Sequence, residues 1–153
     1  MGADYIFYFR RYLVNHLKKP TLYDNYINKV IIITDGYLEL EKRQDYGGGS
    51  RWNYTEINSQ LYSSVNIGNI KNTITSLSLN IPKLNNIDLR YTDILVCEVN
   101  ERKNGKTKDF EILKTYWEDW FLRMNANPSK IKFIQREQAN DITKKRIDEF
   151  FKN

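Results

Sequence analysis

Val30-Ile31-Ile32-Ile33-Thr34-Asp35-Gly36 is the stretch on which the reading of this chain turns. Five apolar or β-branched residues follow one another without polar alternation, which predicts a strand covered on both faces, as in a parallel sheet. A carboxylate and then a glycine stand at its carboxyl end. In open α/β sheets, ligands and metals occupy the crevice beyond that end. Asp35 is therefore the residue best placed to meet a cation or a polar ligand.

Working outward, Asp4 is positioned to cap a helix whose apolar stripe is Ile6, Phe9, Leu13 and Leu17, and Pro20 stops it. Residues 29–34 form the first strand. Beyond Tyr37 the signal weakens. Tyr37-Leu38-Glu39-Leu40 alternates and predicts a short strand, and Ile74 to Leu79 alternates enough to predict a half-exposed one. Gly47-Gly48-Gly49-Ser50 reads as a loop tip; no lysine follows with the spacing of a phosphate loop.

Residues 93–99 are a second near-continuous apolar run. Asp109 then caps a helix with Phe110, Leu113, Trp117, Trp120, Phe121 and Met124 on one face. Glu111, Lys114, Glu118, Asp119 and Arg123 fall on the other, with Lys114 and Glu118 spaced to pair across a turn. Asn125 and Asn127-Pro128 end that helix. Ile131–Ile134 makes a third strand, and Asn140 or Asp141 caps a last helix carrying Ile142, Ile147, Phe150 and Phe151.

Strands alternating with helices in this order predict right-handed crossovers and a three-layer α/β domain, a mostly parallel Rossmann-like sheet with flanking helices. Residues 1–153 read as one domain with a long insertion at about 37–92. Three strands make a thin sheet. The first looks central yet lacks a companion, which predicts a bare apolar edge met by strands upstream of Met1 or by a second chain.

The composition is that of a globular protein: 153 residues, 41% hydrophobic, 28% charged, with 11 Tyr and 7 Phe among the aromatics. The net charge of +5 is spread over scattered groups such as Arg10-Arg11, Lys18-Lys19, Lys42-Arg43 and Lys144-Lys145-Arg146. That distribution favours solvated surface over nucleic-acid binding. No apolar run approaches the roughly 20 residues of a membrane span. No basic segment precedes an apolar one at the N-terminus, so the reading favours a cytoplasmic setting. Cys97 lies in an apolar run and reads as a buried structural thiol; with His16 far away in sequence it makes no zinc site.

A strand ending in Thr34-Asp35-Gly36, then a long excursion, an apolar strand, an aromatic-rich helix, a short strand and a last helix, resembles the carboxyl half of a von Willebrand factor type A domain. The resemblance implies neighbouring strands on one side of a doubly wound sheet. It also implies a metal-ion-dependent adhesion site, which in that family takes ligands from an Asp-x-Ser-x-Ser motif after the first strand and a threonine from a later loop. This sequence contains no such motif; Thr73-Ile74-Thr75-Ser76-Leu77-Ser78 has the hydroxyls without the leading aspartate. Only Asp35 carries over, which implies a truncated or degenerate type A domain.

Three functions remain open on these residues. In the first, Asp35 ligates Mg²⁺ or Mn²⁺ weakly, helped by ligands upstream, with Thr34 and Gly36 shaping the turn and Asn100, Glu101 and Gln135 projecting into the same crevice. A hard divalent cation needs about six oxygens, so one carboxylate with amides holds it poorly. The competing role of Asp35 is to cap its own turn. In the second, Asp35 serves a metal-dependent hydrolase or phosphoryl-transfer enzyme, which requires a second carboxylate and a cation such as Glu101 and Arg102 close by. In the third, the chain is a non-enzymatic interaction module. A protein partner or a second copy meets the first strand edge and an aromatic surface drawn from Tyr5, Tyr8, Tyr12, Tyr23, Tyr26, Trp52, Tyr54 and Tyr62. The pattern favours the third.

Overall fold

The computed structural model describes residues 4–38, 54–55, 57–66, 68–100, 108–136 and 140–152. Helix α1 begins at Tyr5–Tyr8, where Asp4 accepts the Phe7 N–H at 2.8 Å as the sequence predicts. It continues through a π-helical turn, Phe9–Leu13, and closes with Val14–His16. The wider turn shows in the Val14 N–H, which reaches back five residues to the Phe9 carbonyl. Ile6, Phe9 and Leu13 are buried, and Leu17 packs against them just past the helix.

Strand β1 is Asn28–Ile33, β2 is Thr92–Val99 and β3 is Ile131–Gln135. They form one parallel sheet in the order β1-β2-β3, with Val30 opposite Ile94 and Phe133 opposite Val96. Consecutive strands are thus spatial neighbours, and the fold class read from the sequence is the one found. The central strand is β2, buried along almost its whole length. The first strand lies at the margin: Val30 and Ile31 are half-buried and Ile33 is 61% exposed.

Between β1 and β2 the chain forms α2 (Ser59–Ser64) and α3 (Ile70–Ser76). Two sequence-based expectations fail here. Ile74 to Leu79 is not a strand; Ile70, Thr73 and Ile74 recur at three and four residues and face the core of a helix, the period that short polar alternation obscured. Tyr37 and Leu38 are also outside any strand, because Leu38 bonds instead to Thr55 Oγ1 and to the Tyr54 N–H. Residues 39–40 and the glycine run at 47–50 lie outside the described residues.

Helix α4 (Asp109–Arg123) carries the aromatic face: Trp117, Trp120 and Phe121 are fully buried, and Phe9 of α1 packs at a tilt against Trp120 with ring centres 4.9 Å apart. Three details depart from the sequence reading. Lys108 holds the cap position and Asp109 is the first helical residue. Lys114 pairs with Glu111 at 3.7 Å rather than with Glu118. Asp119 is buried, receiving Asn80 Nδ2 at 3.2 Å and Arg123 Nε at 2.8 Å; it clamps the segment after α3 onto the helix. Asn125 then takes φ +67 and ends the turn, a conformation asparagine tolerates.

Two layers of core result. The larger lies between the sheet and α1, α3 and α4. The smaller holds Leu95, Cys97 and Phe150 under α5 (Asn140–Lys152), with Ile31, Ile134 and Ile147 around it. Ile142 and Phe151, expected to face the core, are 37% and 57% exposed, because one helix spans only part of this face. The Lys29 ammonium donates to the Phe150 and Phe151 carbonyls at 2.7 and 3.2 Å, so the end of α5 is satisfied by the start of β1. Among the described residues no helix is long and apolar enough to cross a membrane.

Candidate functional site

The carboxyl ends of the three strands are stitched together by their backbones. The Asn100 N–H donates to the Asp35 carbonyl at 3.0 Å, and the Arg136 N–H donates to the Val99 carbonyl at 2.9 Å. Thr34, Asp35, Gly36 and Asn100 thus meet at one rim. Asp35 is exposed at the end of β1. Its Oδ1 accepts the Tyr37 N–H at 3.1 Å, an Asx turn. Thr34 is buried, and its hydroxyl accepts the Gly36 N–H at 3.1 Å.

Gly36 adopts φ +95, and a Cβ there would stand 3.0 Å from Val99 Cγ1 and 3.1 Å from Leu113 Cδ1. Its carbonyl accepts the Trp117 indole N–H at 2.8 Å. The glycine in the motif is therefore required by the fit of β1 against β2 and α4. Tyr5 completes this corner, its hydroxyl donating to the Ile33 carbonyl at 2.6 Å and its ring set edge-on to Trp117. Burial raises the Tyr5 phenol above its ordinary value; a hydrogen bond with the Thr34 hydroxyl opposes that, and the charge of Asp35 adds to it.

Sequence reasoning overlooked Glu98. The partners of β3 jump from Val96 to Val99, and both valines pack into the larger core although three residues apart. The extra residue is a β-bulge, with Glu98 at φ +67. The bulge aims its carboxylate at α5, where Thr143 Oγ1 donates to Oε1, while Arg136, just past β3, brings its Nε to 3.9 Å from Oε2. A glutamate inside a run that buries every neighbour was the available signal.

Gln135 is exposed at the far margin of the sheet and lines a different cavity, between β3 and α5. Glu101 and Arg102 lie outside the described residues. The donors seen do not fit Mg²⁺ or Mn²⁺: the Asp35 carboxylate holds its own turn, the Thr34 hydroxyl is turned inward, and Glu98 is bound to Thr143. Among the described residues no three His, Cys, Asp or Glu side chains are grouped to share a metal.

A second surface runs along the other side of β1. The Asn28 and Thr34 N–H groups point to β2, so by alternation Lys29, Ile31 and Ile33 turn their peptide groups outward; Tyr5 takes the Ile33 carbonyl, and no strand pairs with this edge among the described residues. Seven of the ten exposed large hydrophobic residues among the described residues fall in this part of the chain: Tyr8, Tyr12, Leu22, Tyr23, Tyr26, Ile27 and Ile33. Lone exposed hydrophobics are ordinary; a concentration of them in the segment that leads into an edge strand suits a contact surface.

No protein-family profile, no curated protein and no solved structure matches the chain at a significant level.

Proposed function

We propose that this chain is a non-enzymatic protein-association module, similar to a von Willebrand factor type A domain whose metal-ion-dependent adhesion site is incomplete. The observation that carries the proposal is the concentration of exposed hydrophobic side chains between Tyr8 and Ile33 in the chain, together with the outer edge of β1, which no strand pairs among the described residues. Tyrosines suit such a surface because they bury area while keeping a polar end. The neighbouring parallel strands and the Thr34-Asp35-Gly36 turn support the type A likeness. The Asx role of Asp35 supports the incompleteness of the metal site.

A photo-crosslinking amino acid at position 23, and separately at 33, tests this in the cell that makes the protein. Discrete protein adducts at either position are the expected result; their absence at both sinks the proposal. Hydrolysis of phosphoesters by the purified chain, abolished by Asp35→Asn, would favour an enzyme instead.

A further inference from the structure

Residues 18–28 form a loop hydrogen-bonded at both its base and its tip. At its base the Lys18 N–H donates to Asn28 Oδ1, and Asn28 Nδ2 donates to the Lys18 carbonyl, each at 2.8 Å. At its tip the Thr21 N–H donates to the Asp24 carbonyl at 2.8 Å, while the Thr21 hydroxyl accepts the Tyr23 and Asp24 N–H groups at 3.3 and 3.0 Å. This tip holds Leu22 97% exposed and Tyr23 94% exposed. Beside them the exposed Asp24 carboxylate has no cation in salt-bridge range among the described residues. A backbone so braced has already lost the freedom that docking would otherwise remove.

The same molecule carries a matching recess. Between β3 and α5 lies a cavity of about 620 Å³ whose apolar lining includes Leu95, Phe133, Ile134 and Phe150. Its volume falls in the roughly 300–1,000 Å³ range of sites that enclose a small ligand. Lys132, Arg136 and Arg146 also line it, against one carboxylate, Glu149, so its polar rim is cationic on balance. Arg146 meets Glu149 only at 3.4 Å and Arg136 meets Glu98 only at 3.9 Å, both pairs partly in solvent. Such loose pairs hold their cations weakly, leaving them able to take another carboxylate. Lys132 has no carboxylate in salt-bridge range among the described residues.

We infer that the Leu22-Tyr23 tip of one copy seats in the β3–α5 cavity of a second, with Asp24 against the Lys132 and Arg146 rim. The inference rests on the association reading above and names its partner as this same chain. Apolar tip meets apolar lining, and a lone carboxylate meets a cationic rim. Because tip and cavity are different patches, the contact is head-to-tail and propagates into rings or open chains.

The test uses the purified chain alone, followed by analytical ultracentrifugation from about 1 µM to about 1 mM, the range in which modest contacts become populated. Wild type associates with rising concentration. Leu22→Ser/Tyr23→Ser and Lys132→Glu/Arg146→Glu, which change exposed side chains only, each weaken association at least tenfold and leave the circular dichroism and Tm unchanged. Mixed together, the two variants form a 1:1 dimer, since one keeps its cavity and the other its tip. A wild type that stays monomeric, association that either variant leaves intact, or a mixture that stays monomeric overturns the inference. Pelleting of a monomeric wild type, but not the tip variant, with vesicles of anionic lipid overturns it in favour of a lipid surface. Crosslinked adducts with other proteins at position 23 would still uphold the module reading in each of these cases.

Discussion

The indole N–H of Trp117 donates to the carbonyl of Gly36 at 2.8 Å, tying the middle of α4 to the turn that ends β1. The same glycine has φ +95 and no room for a methyl group between Val99 and Leu113. Gly36→Ala therefore combines backbone strain with overpacking and is expected to cost about 2–3 kcal/mol, a Tm drop of about 6–9 °C. Thermal denaturation checks it; a change within 1 °C, on the order of 0.3 kcal/mol, would show that the turn accommodates a side chain.

Asp35 is expected to act through its turn. Asp35→Asn keeps the acceptor for the Tyr37 N–H and should leave stability within a few tenths of a kcal/mol, while Asp35→Ala should lose about 0.5–1 kcal/mol. Urea denaturation separates the two. Calorimetric titration of Mg²⁺ into wild type and Asp35→Ala should give equal heats, and a heat confined to wild type would restore a metal role.

Tyr5 makes stability depend on alkaline pH. Its folded phenol titrates above the ordinary 10.0, so the unfolded chain gives up this proton first. The stabilisation is complete below pH 10 and is lost as pH rises through the folded value. Denaturation midpoints from pH 9 to 11.5 should fall more steeply for wild type than for Tyr5→Phe, the difference isolating this phenol from the other tyrosines.

Cys97 is fully buried, and burial, with the charge of Glu98 adding to it, pushes its thiol from 9.0 to about 11. Iodoacetamide at pH 8 should modify it at least roughly a hundredfold more slowly than a free thiol, and fully in 8 M urea. Mass spectrometry reads the adduct. Rapid labelling of the folded chain would mean that α5 leaves the sheet readily.

These outcomes bear on how much the sequence disclosed. Val30–Ile33 and residues 94–97 were legible as strands because unbroken apolar runs leave few alternatives, and α4 because its large residues recur at helical spacing. The Asx turn of Asp35 was legible as well, since it involves only neighbours in sequence. Ile70–Ser76 was not, because serine and threonine alternate with apolar residues in either structure and packing decides between them. The π turn at Phe9–Leu13 and the bulge at Glu98 arise from contacts with distant elements, Phe9 with Trp120 and Glu98 with Thr143. Local pattern carries no trace of such contacts. The cavity beside β3 was invisible for the same reason: β3 and α5 form its walls together.

The order of the sheet also sets an order in time. Strand β2, α4 and β3 are consecutive in the chain, whereas Asn28 must find Tyr91 across 63 positions. Closing the longer loop is the slower search, so the consecutive trio is expected to assemble first and β1 to dock last. Leu113→Ala should then slow refolding, while Ile32→Val should chiefly hasten unfolding, both measurable by stopped flow. Until that last docking step, the edge of β2 that receives β1 stands unpaired, and crowded refolding would trap the chain there.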